Sequence, residues 1–218
     1  MYFNSRAEAG QKLADELATY KDNSPLVVAL GNGGVIVGEQ IARQLKGTLT
    51  LFLSEAIDLP GEGVIVGTVH QGGGFTYSSE LSGGEIDDYY AELHGYIEDQ
   101  KREKVSKINR LLSTSGLLEL EMLKDKTVIV VSDGLKTGAS LDAMMDFLKP
   151  VKLKRLIIAT PVASVASVDR IHIAADEIHC LSVTDNYVST NHYYSLDEDL
   201  SRKGTLTRLS NFMNGVQN

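Results

Sequence analysis

The chain has one cysteine, Cys180, among 218 residues, so no disulfide framework can form within it. Cys180 lies in the apolar run 178–183 and reads as a buried core thiol, not a nucleophile. Basic residues are in the minority: 21 Lys and Arg stand against 29 Asp and Glu, for a net charge of −8. A general nucleic-acid surface needs a basic stripe, and this balance argues against one while leaving room for a small local phosphate site. No apolar run approaches the length of a membrane span. The opening Met-Tyr-Phe-Asn-Ser-Arg lacks the basic start and apolar stretch of a signal peptide. A cytoplasmic location with no membrane partner is the expectation. His172 and His179 sit at apolar spacing, with no acidic or cysteine partners at metal-ligand separations, so both read as structural. What remains is ordinary for a globular protein, with 43% hydrophobic and 23% charged residues. The length suffices for one α/β domain with a sizeable core.

The most informative stretch is residues 128–141, Val-Ile-Val-Val-Ser-Asp-Gly-Leu-Lys-Thr-Gly-Ala-Ser-Leu. It begins with four consecutive β-branched residues, the mark of a parallel strand covered on both faces. It ends as a helix, because Leu141, Met144, Met145 and Leu148 share one helical face. Between them, residues 132–140 are short, polar and glycine-bearing. A strand that feeds a tight loop into a helix N-terminus is a ready anion site, since the first helical N–H groups lack intrahelical partners. Gly134 and Gly138 allow close backbone approach, Thr137 and Ser140 add hydroxyls, and Lys136 adds a positive charge. Composition alone leaves two readings open, a phosphate cradle or an ordinary capped turn.

The order of these residues resembles the phosphoribosyl-diphosphate motif of the type I phosphoribosyltransferases. That resemblance implies transfer of phosphoribose to a nitrogenous acceptor, often a nucleobase, with pyrophosphate leaving and Mg²⁺ bridging pyrophosphate and sugar hydroxyls. It also implies roles. Asp133 matches the second of two acids that hold the ribose hydroxyls, and residues 136–140 match the loop around the 5′-phosphate. For an active enzyme the backbone N–H groups of Leu135, Lys136, Thr137, Gly138, Ala139 and Ser140 would serve that phosphate. Ser132 stands where the first acid belongs, and Lys136 where a small residue is usual. Gly33 and Gly34 match the glycines of a pyrophosphate turn, Gly31 to Gly34, but Asn32 occupies its Arg position. Ser54 and Glu55 replace a basic pair. Tyr187 and the pair Tyr193 and Tyr194 match an aromatic segment that meets the base. Lys136 adds a positive charge; each other departure removes positive charge from the pyrophosphate side or negative charge from the ribose side.

Along the chain, Ser5 and Glu8 form a capping box for a helix that turns Ala9, Leu13, Leu17 and Tyr20 to the core. Residues 26–30 read as a buried strand, followed by the Gly31 turn and a short helix. Residues 48–53 read as a strand and 54–63 as a loop. Residues 64–70 and 75–77 read as a β-hairpin around three glycines, with His70 as a surface residue beside the turn. Ser82 opens a long helix to about residue 112, marked by Ile86, Tyr90, Leu93, Ile97, Val105, Ile108 and Leu112; it could extend from the body and support a homodimer. Residues 98–107 read as a solvated face. Residues 153–160 read as a strand, 161–174 as a helix starting at Pro161, and 178–183 as the last strand. Residues 195–218 read as polar and peripheral, the last few without order.

The expected fold is thus α/β: a parallel-rich central sheet flanked by helices, one domain over 1–218, with a hairpin and long-helix excursion over 63–112. The expected function is binding of phosphoribosyl diphosphate or a nucleotide, with or without transfer to a base. A protein of this fold that regulates without catalysis is the competing expectation, and one that uses only the long helix is a third.

Overall fold

The computed structural model describes residues 2–112 and 118–216. Among them, those of Met1–Leu51, Leu117–Thr137 and Val151–Asn218 form one compact unit, and those of Phe52–Gly116 and Gly138–Pro150 a second. The fold is α/β around a five-stranded central sheet, as the alternation of patterns predicts.

The first unit starts with α1 (Arg6–Glu16), a 3₁₀ turn (Ala18–Asn23), β1 (Leu26–Leu30), α2 (Gly31–Leu45) and β2 (Thr48–Phe52). The Ser5 hydroxyl caps α1 through the Glu8 N–H at 3.0 Å. The Glu8 carboxylate returns one residue earlier than the capping box predicts, to the Asn4 N–H at 2.8 Å. Ala9, Leu13, Leu17 and Tyr20 are buried as expected, although the helix stops at Glu16 and the 3₁₀ turn carries Tyr20. β1 is buried along all five residues, as the continuous apolar run requires. The glycine turn and short helix expected after it are in fact one 15-residue helix, because Gly31 to Gly34 make its first turn.

The second unit holds β3 (Ser54–Asp58), β4 (Ile65–His70), β5 (Phe75–Tyr77) and α3 (Gly83–Leu112). The three strands form an antiparallel sheet in the order β3-β4-β5. The expected hairpin is there. The expected loop over 54–63 is not: its first five residues pair with β4, from Ser54 against His70 onward. Only Ile57 of the five is buried, so the polar sequence hid the strand. A full capping box, Ser82 with Glu85, opens α3. The helix is interrupted at Leu93, whose φ of −118° is not helical. Of its predicted face, Ile97 and Ile108 are buried, and the Leu112 side chain lies outside the described residues.

His70 is a further correction. It is only 5% exposed, stacked on Phe52 and edge-on to Phe147. Its Nδ1 meets the Gln71 carbonyl at 2.8 Å, which can only accept, so Nδ1 carries the proton. A histidine beside a polar glycine turn carries no sign in sequence that two phenylalanines will cover it.

The chain continues through the short α4 (Leu120–Leu123) to β6 (Thr127–Val131), then α5 (Ala139–Leu148), β7 (Arg155–Ser164), α6 (Val165–Ala174) and β8 (Glu177–Thr184). The sheet order is β2-β1-β6-β7-β8, and β1–β6, β6–β7 and β7–β8 are parallel. β7 runs straight through Pro161, correcting the expected helix start there. Pro161 supplies no N–H, yet the register with β8 is unbroken on either side of it, Thr160 on Cys180 and Val162 on Ser182. The helix begins only at Val165, capped by the Ser164 hydroxyl. Cys180 is half-buried on β8 at the edge of the sheet, not fully in the core, and burial still pushes its thiol up.

The C-terminal segment is also more than a periphery. After a 3₁₀ turn (Thr190–Tyr193), α7 (Arg202–Val216) buries Leu209 and Phe212, each at 2% exposure. Arg208 on α7 pairs with Glu39 on α2 at 2.8 Å. The expected disorder of the last residues falls on positions 217–218, outside the described residues.

β1 and β6 lie side by side, and the chain leaves them toward opposite edges, to β2 and to β7. That reversal opens a crevice outside the carboxyl ends of the two strands. The residues that leave those ends are Gly31 and Ser132.

Candidate functional site

At the end of β6 the chain turns sharply. The Ser132 hydroxyl accepts from the Gly134 N–H at 3.2 Å and donates to the Gly134 carbonyl at 2.9 Å, and the residue is buried. Ser132 therefore closes the turn on itself. Asp133 then projects toward α1 and α2. Its Oδ2 accepts from Arg6 Nε at 2.7 Å, and its side chain keeps 16% exposure. A Cβ on Gly33 would come within 1.9 Å of the same oxygen, so only glycine fits there.

Arg6 was not legible as a functional residue, yet it joins the parts of this site. It is 2% exposed. Beyond Asp133, its Nη2 donates to Asn191 Oδ1 at 2.6 Å, and its Nη1 lies 3.6 Å from Glu198 Oε2. Its own backbone N–H donates to Glu198 Oε2 at 2.9 Å. Its guanidinium stands 4.3 Å over the Tyr194 ring. A signal existed: Arg6 continues the apolar periodicity of Ala9, Leu13, Leu17 and Tyr20 backwards, and a charge on that face demands a partner. Burial pushes the Asp133 carboxyl up, and the Arg6 guanidinium pulls against it.

The aromatic segment closes on the same turn. The Tyr194 hydroxyl donates to the Asp133 carbonyl at 2.5 Å. Tyr187 shares a hydrogen bond of 2.9 Å with Thr190, and both lie against Gly134. Tyr193 and Tyr194 are buried with Phe3, Ala9 and Val162 in one cluster, and Tyr187 packs on it. Burial pushes the Tyr187 hydroxyl up to about 12, and burial followed by the charge of Asp133 pushes Tyr194 up as well.

The loop continues with Leu135, whose N–H donates to the Val162 carbonyl at 3.0 Å and whose carbonyl accepts from the Ser164 N–H at 2.9 Å. That backbone is committed to β7, which removes the Leu135 N–H from the expected phosphate donors. Lys136 has an exposed side chain, but its carbonyl accepts from the Ser164 and Ser167 hydroxyls at 2.7 and 2.9 Å. Arg170 Nη2 donates to the Thr137 carbonyl. In a trans peptide the C=O and N–H point opposite ways, so anchoring the Lys136 carbonyl turns the Thr137 N–H to the other side. Sequence reasoning missed Ser164, Ser167 and Arg170, which lie about thirty residues downstream of the carbonyls they hold.

Gly138, Ala139 and Ser140 belong to the second unit, at the start of α5. Gly138 is the N-cap, with φ 78°, and offers no side chain to the first turn. Ser140 is exposed. In the first unit, Gly31 is exposed and Gly33 and Gly34 are buried. Asn32 Nδ2 donates to the Leu200 carbonyl at 2.8 Å, while its Oδ1 is buried without a hydrogen-bond partner. The structure thus gathers Ser132, Asp133, Gly134, Gly33, Tyr187 and Tyr194 around Arg6, and turns the Asn32 amide toward the C-terminal segment.

The protein's own donors do not make a cation site: no group of three His, Cys, Asp or Glu gathers among the described residues, and Asp133 is paired with a guanidinium.

A glycine turn and an acid-bearing loop lie at the carboxyl ends of adjacent parallel strands, with an aromatic segment against the loop, where open α/β sheets bind their ligands. The chain belongs to the phosphoribosyl transferase domain family, whose model matches residues 3–198. It is 24% identical over 197 residues to a Mycobacterium tuberculosis protein named "Putative phosphoribosyl transferase Rv0571c", a match covering 88% of this chain. The chain spans only 43% of that relative's length. Its fold is similar to that of the protein TT1426 from Thermus thermophilus, with a TM-score of 0.75 and 26% identity, covering 97% of this chain and 99% of that one. A hypothetical protein from Neisseria gonorrhoeae, solved with bound ppGpp, has a similar fold at a TM-score of 0.50 and 12% identity, covering 96% of each chain.

Proposed function

We propose that the chain binds a phosphorylated ribose, as phosphoribosyl diphosphate or a nucleotide. Thr137, Gly138, Ala139 and Ser140 meet the 5′-phosphate, and Asp133 meets a ribose hydroxyl. Gly31 to Gly34 line the pyrophosphate side, and Tyr187 and Tyr194 the base side. The observation that carries this reading is the anchored loop. Three side chains, Ser164, Ser167 and Arg170, hold its carbonyls back, and a glycine-capped helix follows it. Such a loop presents N–H groups, not carbonyls, to an anion. Calorimetric titration of phosphoribosyl diphosphate, with and without Mg²⁺, tests it. Thr137→Ala is expected to weaken binding about tenfold, the loss of one hydrogen bond to a charged group. No binding at millimolar ligand would sink the reading.

Transfer of the phosphoribose to a nitrogenous base is the finer step. An active enzyme would use Asp133 to stabilise positive charge developing on the sugar. Specific features favour binding without turnover. Ser132 lacks the first acid's charge and its hydroxyl is closed on Gly134; one Asp133 oxygen is engaged by Arg6; Asn32 brings no cation to the pyrophosphate side. Pyrophosphate release across candidate bases separates the two, and its absence in a protein that binds the ligand identifies a regulator. A cytoplasmic location and a homodimer built on α3 belong to the same proposal. Among the described residues no helix is long and apolar enough to cross a membrane.

A further inference from the structure

We propose that Arg6 is a positioning residue for the ribose-binding acid: it fixes which oxygen of Asp133 faces the ligand, and is itself fixed by Asn191, Glu198 and Tyr194. This rests on the proposed binding of a phosphorylated ribose and names the device that makes its sugar contact selective.

The geometry is specific. A carboxylate on a turn can rotate about χ2 and offer either oxygen. Here Oδ2 is locked between Arg6 Nε at 2.7 Å and the backbone at Gly33, where even a Cβ would not fit. Oδ1 is the oxygen left for a sugar hydroxyl. Arg6 in turn cannot swing away. Nη2 is held by Asn191 at 2.6 Å, Nη1 faces Glu198 at 3.6 Å, and the guanidinium lies on the Tyr194 ring at 4.3 Å. A planar fork with several donors suits this task, and a lysine's single ammonium does not. Arg6 also opposes the burial that pushes the Asp133 carboxyl up. With Ser132 in place of the first acid, Asp133 is the one carboxylate of the pair, and its orientation sets the selectivity for the sugar.

The test uses ribose 5-phosphate and its 2-deoxy and 3-deoxy analogues, titrated calorimetrically in Mg²⁺-free buffer. The wild-type protein is expected to favour ribose 5-phosphate over at least one deoxy analogue by about tenfold or more, the cost of leaving a charged acceptor unpaired. Arg6→Gln is expected to remove that preference while leaving the affinity for the disfavoured analogue within about twofold. Asp133→Asn should remove it too. Thr137→Ala should weaken all three ligands by a similar factor and keep the preference. Binding of none of the sugar phosphates by the wild type overturns the function proposed above. Discrimination that survives Arg6→Gln overturns the role of Arg6 alone and leaves that function standing. Equal wild-type affinity for all three overturns the sugar contact and Arg6 with it. If Arg6→Gln does not fold, Arg6→Lys and Asn191→Ala serve in its place. Each should narrow the preference, and an unchanged preference in both counts against the proposal.

A ligand-free arm reads the charge. In Arg6→Gln the guanidinium no longer offsets the burial of Asp133, and Glu198 still stands beside it, so its carboxyl rises further above the unfolded value of about 3.9. The native state then holds the proton more tightly than the unfolded chain. Stability is full below the unfolded pKa and falls as pH rises toward the folded one, by up to about tenfold in the unfolding constant per pH unit. The pH window of this fall should extend further upward in Arg6→Gln than in the wild type, and the extension should be lost in Arg6→Gln with Asp133→Asn. A purely structural arginine would lower stability equally at every pH, and that result would reject the proposal.

Discussion

Replacing Tyr194 by Phe removes one oxygen and nothing else. In the wild type that hydroxyl is buried, 8% of the residue being exposed, and donates to the Asp133 carbonyl at 2.5 Å. Phe keeps the ring against Phe3 at 5.8 Å and under the Arg6 guanidinium at 4.3 Å. What is lost is one buried hydrogen bond, and the Asp133 carbonyl is left without this donor. That costs about 1–3 kcal/mol. For a chain of this size each kcal/mol lowers Tm by about 2–4 °C, so the expected drop is roughly 2–12 °C. Tyr194→Leu removes the ring as well. It should cost about 1–2 kcal/mol more, because the cation–π contact to a desolvated Arg6 goes with the ring. Urea unfolding of the wild type and both variants gives the two increments separately. A Tyr194→Phe protein within about 0.5 kcal/mol of wild type, the level of an ordinary surface change, would refute the claim that this hydroxyl holds the turn.

Alkaline stability offers a second check. Tyr187 and Tyr194 are both raised above the usual tyrosine value by burial. Their stabilisation is complete below the unfolded pKa of about 10 and is lost as pH rises through the folded values, so unfolding should set in above about pH 10. Tyr194→Phe should make that loss shallower, measured as urea midpoint against pH. Phe212→Ala is expected to cost about 3–5 kcal/mol, since the ring is 2% exposed, where a peripheral tail would lose less than about 0.5. If residues 1–218 act as one domain, far-UV and near-UV signals should follow a single urea transition, and separated midpoints would show that the two units unfold independently.

Where the sequence carried a strong local pattern, it was readable. β1 and β6 announce themselves by unbroken runs of buried β-branched and aliphatic residues, and α1 by its cap and periodicity. β3 was missed because an antiparallel strand with one buried residue in five has no apolar pattern to read. The Pro161 error has a different origin: proline is a good breaker, but the β6 ladder of β7 ends at Ala159, so Pro161 lies where β7 has an open side and no donor is needed there. His70 is covered by Phe52 and Phe147, which come from other parts of the second unit. In the candidate site, the acid, the glycines and the tyrosines could be named from the sequence because they sit in motif order. Arg6, Asn191 and Glu198 were not, because a long-range ion pair leaves only a displaced charge on an apolar face.

The distances along the chain between Arg6 and its partners also bear on how the protein is made. Arg6 is bonded to Asp133 across 127 positions, to Asn191 across 185 and to Glu198 across 192. A ribosome working at about 5–20 residues per second needs roughly 10–40 s to span the last of these. Until then the guanidinium of the first helix lacks part of the set of partners that buries it. The last of these partners emerges when the nascent chain already contains every strand of the sheet. Any nascent fragment that stops short of Asn191 leaves the Arg6 fork without its carboxamide anchor, however well its parallel strands have paired.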